Sequence, residues 1–119
     1  MSVEEAVKAC FQMRTRNGFL YHLAADFPAF KGHFENHPLL PAVCQISFCS
    51  DAAGRLLGNE VEMTALKRAK FISPVLPGCK LEVRLTQRPD GWYLAELTEE
   101  NSGKKLSQLI LQFSERTHP

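Results

Sequence analysis

Residues 41–58 read PAVCQISFCSDAAGRLLG, and their pattern decides the architecture. Pro41 suits a first helical turn, where a backbone N–H has no intrahelical acceptor to lose, and Gly58 suits a left-handed C-terminal cap. Between them, over AVCQISFCSDAAGRLL, apolar residues fall almost all round the helical wheel, with few charges before Arg55. That pattern predicts a helix over 42–57 buried on most sides. Gly54 costs such a helix about 1 kcal/mol relative to Ala, so its presence predicts close backbone packing there.

On the C-terminal side of this helix four runs show partial period-two alternation: Val61 to Ile72, Lys80 to Gln87, Trp92 to Glu99 and Lys105 to Glu115. Turn signals separate the later runs at Pro74 to Gly78, Pro89-Asp90-Gly91 and Asn101-Ser102-Gly103. On the N-terminal side, Lys8 to Ala25 reads as two strands around Asn17-Gly18, a dipeptide suited to the positive φ angles of a tight hairpin turn. Asp26 to Leu40 reads as loop, interrupted by Pro28, Gly32 and Pro38. The expected class is α+β: a hairpin, one long buried helix, then about four antiparallel strands that cover it.

A chain of 119 residues fits one folded unit over 1–119 and leaves no room for a separate dinucleotide-binding domain. Lys and Arg number 14 against 13 Asp and Glu, a net charge of +1, so no global field points to nucleic acid or an anionic membrane. The longest mostly apolar stretch, Pro38 to Cys49, is too short to span a bilayer. The opening MSVEEAVKAC has acids where a secretory signal carries basic residues and an apolar run, so a soluble cytoplasmic protein is expected. Cys10, Cys44, Cys49 and Cys79 form no C-x-x-C pair and read as buried free thiols, with no metal implied.

Chemistry concentrates in FKGHFENHPLLPAVCQIS, residues 30–47. A histidine beside apolar residues stays neutral near pH 7 and serves as a base, which singles out His33. The amides of the following helix's first turn, near Ala42 and Val43, lack intrahelical acceptors and stabilise negative charge on a substrate oxygen. His37 reads as a solvated loop residue, and His22 and His118 have no motif behind them.

Gly32-His33-Phe34, Pro38, Leu40-Pro41, Val43 and Gln45-Ile46 resemble the active-site signature of FabZ/FabA-type 3-hydroxyacyl-[acyl-carrier-protein] dehydratases. RAKFISPVLPG, from Arg68 to Gly78, is similar to that family's second conserved strand and turn. The resemblance implies a hot-dog fold, a curved antiparallel sheet wrapped round one central helix, dimerised with sites at the subunit interface. It implies an acyl thioester substrate held on the phosphopantetheine of an acyl carrier protein or of CoA, and no further cofactor. By the same resemblance His33 removes a C2 proton, the Leu39 carbonyl orients its ring, and the Ala42 amide polarises the thioester carbonyl. Gly32, Phe34 and Val43 join Leu39 and Ala42 as substrate-binding positions.

The family's helix acid falls on Ser47, a neutral side chain, and Asn36, Glu35 and Ala42 also depart from the signature. Asp51 lies one turn beyond Ser47, so a water held between the two would stand in for the missing carboxyl; a helix-face charge, solvated or paired with Arg55, is the competing reading of Asp51. Lys67, Arg68 and Lys70 form a basic cluster that reads either as an exposed strand face or as a docking patch for an acidic carrier protein. Phe30, Phe34, Phe48 and Phe71 read as core or acyl-tunnel lining. Three functions follow in order: a dehydratase making trans-2-enoyl thioesters for fatty-acid, lipid or polyene synthesis, a hot-dog thioesterase, and a catalytically degenerate acyl-binding partner subunit. A homodimer, a higher homo-oligomer or a heterodimer with a second dehydratase-like chain is expected.

Overall fold

A computed structural model describes residues 2–30 and 40–116 of the chain. It opens with a helix that the alternation reading does not contain: α1, Val3–Cys10. The Ser2 hydroxyl caps it by accepting from the Glu5 amide at 3.1 Å, and Glu4 and Glu5 stand in the first turn, where negative charge suits the helix dipole. Ser2 and Glu5 have the S-x-x-E order of a helix start. The two strands expected between Lys8 and Ala25 are therefore shorter, β1 (Phe11–Arg14) and β2 (Phe19–His22).

The turn joining them also differs from expectation. Among the described residues no non-glycine has positive φ, and Gly18 is not one of the glycines that do. Thr15 closes the loop, its amide donating to the Gly18 carbonyl at 2.7 Å and its hydroxyl accepting from the Gly18 amide at 2.9 Å. Gly18 is small for another reason: a Cβ there would overlap the carbonyl of Val83, the residue paired with Phe19 on the next strand.

The long helix, α2, spans Ala42–Leu57 with Pro41 at its N-cap. Gly58 takes φ +78° and its amide donates to the Gly54 carbonyl at 2.8 Å, the left-handed cap the sequence predicts. A Cβ on Gly54 would lie 2.8 Å from the Asn59 carbonyl oxygen, so the close packing is with the chain leaving the helix. Cys44, Gln45, Phe48, Cys49, Ala52 and Ala53 make one buried stripe. Burial on most sides is thus corrected to burial on one: Val43 is 69% exposed, and Leu56 and Leu57 are also exposed. The outer face reads as buried because it carries Val, Ile and Ser instead of charges.

Four strands follow, β3 (Val61–Phe71), β4 (Lys80–Gln87), β5 (Tyr93–Glu99) and β6 (Lys105–Glu115), within a residue of the expected runs. All six strands form one antiparallel sheet in the order β1-β2-β4-β5-β6-β3. Leu81 and Val83, Ala95 and Leu97, and Leu109 and Leu111 point from β4, β5 and β6 into a core shared with Phe48, Cys49 and Ala52 of α2. The helix meets β4 in the middle of the sheet and β3 at its edge, so the sheet is carried around it. This is the α+β hot-dog arrangement. Among the described residues no helix is long and apolar enough to cross a membrane.

Candidate active site

The position of α2 creates two clefts. A groove of about 550 Å³ runs along its outer face, between α1 and the start of β3, with Val7, Val43, Ile46, Ser47 and Asp51 among its walls. Ion pairs at its rim join Lys8 to Glu60 and Arg116 to Glu4, each at 2.9 Å. A smaller cleft of about 320 Å³ opens at the helix start against the end of β3, lined by Leu40, Ala42, Gln45, Phe71, Ile72 and Ser73 together with Pro74.

Ala42 is the first residue of α2 and lines the smaller cleft, whereas Val43 lines the long groove, so two expected substrate-binding positions face different cavities. The first helix amides that bond back are those of Cys44 and Gln45, both to the Pro41 carbonyl at 3.1 and 3.2 Å. Pro41 offers no side-chain cap. The Ala42 amide therefore stands ahead of the ladder, as a polarising donor must. Gly32, His33, Phe34 and Leu39 lie outside the described residues.

Ser47 and Asp51 both line the long groove. The Ser47 hydroxyl donates to the Val43 carbonyl of its own helix at 3.3 Å. Asp51, with a side chain only 8% exposed, accepts at Oδ2 from the Tyr21 hydroxyl at 2.6 Å and from Arg55 Nε at 2.7 Å. The pairing with Arg55 is the competing sequence reading of Asp51. Arg55 also lies 3.7 Å over the ring of Phe11, so the carboxylate is held between a buried phenol and a stacked guanidinium. Burial first, then the bond to Asp51, pushes the Tyr21 hydroxyl up, which keeps it a protonated donor.

Lys67, Arg68 and Lys70 are exposed on the edge strand β3, and Lys67 Nζ lies 5.4 Å over the Trp92 ring. Phe48 is in the core, Phe30 is buried, and Phe71 lines the smaller cleft with much of its ring exposed. All four thiols are free. Complete burial pushes Cys49 up to about 12, and burial raises Cys44 as well, so neither supplies a thiolate near neutral pH. Among the described residues no group of three His, Cys, Asp or Glu side chains is placed to hold a metal ion. Two buried polar side chains beside the clefts are absent from the expected site residues. Tyr21 meets Asp51 across 30 residues, with no local signal, whereas Gln45 betrays itself as the one amide on the apolar stripe of α2.

The model of the ApeI-like family, described as ApeI dehydratase, matches residues 12–108. The 3-hydroxyacyl-[acyl-carrier-protein] dehydratase FabZ of Magnetococcus marinus is 34% identical over 68 residues, covering 50% of this chain and 44% of that protein. FabZ of Nitratiruptor sp. is 39% identical over 71 residues, covering 49% and 48%. The chain spans about half the length of these curated relatives. Among solved structures, the dehydratase heterocomplex ApeI:P from Xenorhabdus doucetiae superposes with a TM-score of 0.69 at 22% identity, over 87% of this chain and 92% of that chain. The dehydratase domain of MlnD from Bacillus amyloliquefaciens gives 0.60 at 15%, over 87% and 40%. At these identities the structural likenesses establish a shared fold.

Proposed function

The chain belongs to the ApeI-like dehydratase family, and on that premise we propose that it interconverts 3-hydroxyacyl and trans-2-enoyl thioesters carried on phosphopantetheine. The observation that carries this reading is the span of the family match, residues 12–108, which takes in both the His33-to-Ser47 segment and the Arg68-to-Gly78 segment. In this reading His33 takes the C2 proton as the C2–H bond breaks. The Ala42 amide holds the thioester oxygen as charge builds there, and the C3–O bond breaks as the proton carried by His33 passes to the leaving hydroxyl, which departs as water. The acidic carrier protein docks on Lys67, Arg68 and Lys70, and no cofactor beyond its phosphopantetheine takes part.

Ser47 gives a second reading its footing. Its hydroxyl turns back on the Val43 carbonyl of its own helix, and a positioned acid is typically worth about 10²- to 10⁴-fold in rate. In this version a second dehydratase-like chain packs on the uncovered face of α2 and supplies the acid. The solved structure named above, a dehydratase heterocomplex, supports this version.

The test follows interconversion and free-thiol release when purified protein meets 3-hydroxyacyl and 2-enoyl carrier-protein thioesters. Wild type, His33→Ala and Ser47→Glu are run side by side. Interconversion lost with His33 supports the dehydratase, and interconversion that survives its loss overturns the mechanism. Activity appearing only in Ser47→Glu, or only on adding a second chain, supports the partner-subunit version, and thiol release without enoyl product indicates a thioesterase.

A further inference from the structure

The smaller cleft holds a buried polar group that the steps above leave unused. Gln45 is only 4% exposed and stands on the core-facing stripe of α2. Its orientation is set by the Leu40 carbonyl at 3.4 Å, which can only accept, so Nε2 is the end that faces it. Oε1 is left as an acceptor shut off from bulk water, with no donor among the described residues. Buried amide oxygens are almost always bonded, and one left bare is costly.

Ala42, three residues earlier on α2, lines the same cleft and brings the opposite group, an amide donor at the head of the helix. Three residues is close to one helical turn, so donor and acceptor lie on neighbouring parts of one face. The rest of the wall is largely apolar: Leu40, Phe71, Ile72 and Pro74, with Ser73 beside them. A ligand that satisfies both groups presents an acceptor and a donor a few bonds apart on an otherwise apolar chain.

We infer that Gln45 is a specificity-determining residue that binds the C3 hydroxyl of the substrate, accepting its O–H at Oε1 while the thioester carbonyl takes the Ala42 amide. The inference rests on the thioester reading above. A 3-hydroxyacyl thioester carries its carbonyl acceptor and hydroxyl donor on either side of C2, whereas the saturated acyl and 2-enoyl thioesters lack that donor. Loss of the hydroxyl as water removes the partner of Gln45, so the group that selects substrate also disfavours retention of product. In the hydration direction the same oxygen holds the incoming water.

The test is binding, independent of turnover. Amide-linked pantetheine analogues, with N–H in place of the thioester sulfur, have a weakly acidic C2 and are not dehydrated. Three acyl groups of equal length are compared by calorimetry: 3-hydroxy, 3-deoxy and 3-fluoro, the last able to accept but not to donate. The expected result on wild type is a preference for the 3-hydroxy ligand of about tenfold or more, the size of a hydrogen bond to a buried acceptor. In Gln45→Met, of similar volume but without the acceptor, the three affinities converge within about twofold. Equal affinities on wild type overturn the inference, and equal weakening of all three in Gln45→Met assigns the acceptor to a pantetheine amide instead. A wild-type preference undiminished in Gln45→Met also overturns it. Binding of none of the three to wild type overturns the thioester reading itself. If Gln45→Met does not fold, Gln45→Leu takes its place, and equal affinities for the 3-hydroxy and 3-fluoro ligands on wild type overturn the inference in either case.

Discussion

Tyr21 brings a fully buried phenol to Asp51, and its hydroxyl donates to a carboxylate that also takes Arg55. A hydrogen bond from a buried neutral donor to a charged acceptor is worth about 1.5–3 kcal/mol, so Tyr21→Phe is expected to lower stability by that amount in urea denaturation. A loss below about 0.5 kcal/mol would show that water replaces the phenol at no cost. Cys49 gives a pH signature. Its thiol ordinarily titrates near 9 and is pushed up to about 12 by complete burial. Below pH 9 both states hold the proton; above it the unfolded thiol ionises while the folded one does not, so stability falls as pH rises toward 12. Between about pH 9 and pH 10 wild type should lose ~1 kcal/mol more than Cys49→Ala, measured in reductant, and equal slopes would refute the burial account. The burial of Cys49 was legible in the sequence, whereas the Tyr21–Asp51 contact was not. The Asp51–Arg55 pair was, because four residues on a helix make neighbours, but no spacing rule links Tyr21 to Asp51.

At the scale of elements, glycines test the architecture because two of them are fixed by backbone neighbours. Gly18→Ala drives a methyl into the Val83 carbonyl of β4, where β2 and β4 pair in register. The expected cost is about 3 kcal/mol, the upper end for overpacking, read as a lowered Tm; an unchanged Tm would mean the hairpin moves freely off β4. Gly54→Ala sets two effects against each other. Helix propensity alone would stabilise by about 1 kcal/mol, but the methyl meets the Asn59 carbonyl at 2.8 Å, and the net change is expected to be destabilising. The termini of α2 were legible because Pro41 and Gly58 have a conformational reason to stand where they do, and the later strands because Leu81 and Val83 alternate with Lys80, Glu82 and Arg84. The helix α1 was missed, its last three residues falling inside the strand reading that began at Lys8: eight residues give too short a period to see, although Ser2 and Glu5 mark its start. The hairpin around Asn17-Gly18 was legible, but its positive-φ reason was not the right one, because Gly18 answers to β4, a tertiary neighbour.

For the whole molecule, the outer face of α2 is the open question. Val43 is 69% exposed on a groove that Val7 and Ile46 also line, with Asp51 on its wall and ion pairs at its rim, a mixed surface that suits a second chain. If α2's outer face carries the proposed subunit contact, Val43→Arg lowers the mass in light scattering relative to wild type while circular dichroism stays unchanged; an unaltered mass would contradict that contact. The sequence carried this feature in disguise, since a helix apolar on nearly all sides is also what a helix with one face kept for a partner looks like. His33 lies outside the described residues, and its assignment rests on its apolar neighbours in the sequence and on the family resemblance that pairs it with the helix amide. The measurement that reaches the central claim most directly is intact mass spectrometry of a 3-hydroxyacyl carrier protein incubated with wild type and with His33→Ala. The account predicts loss of one water from the carrier-bound chain with wild type, alone or with its partner chain, and no loss with His33→Ala. Equal water loss with both proteins would contradict it.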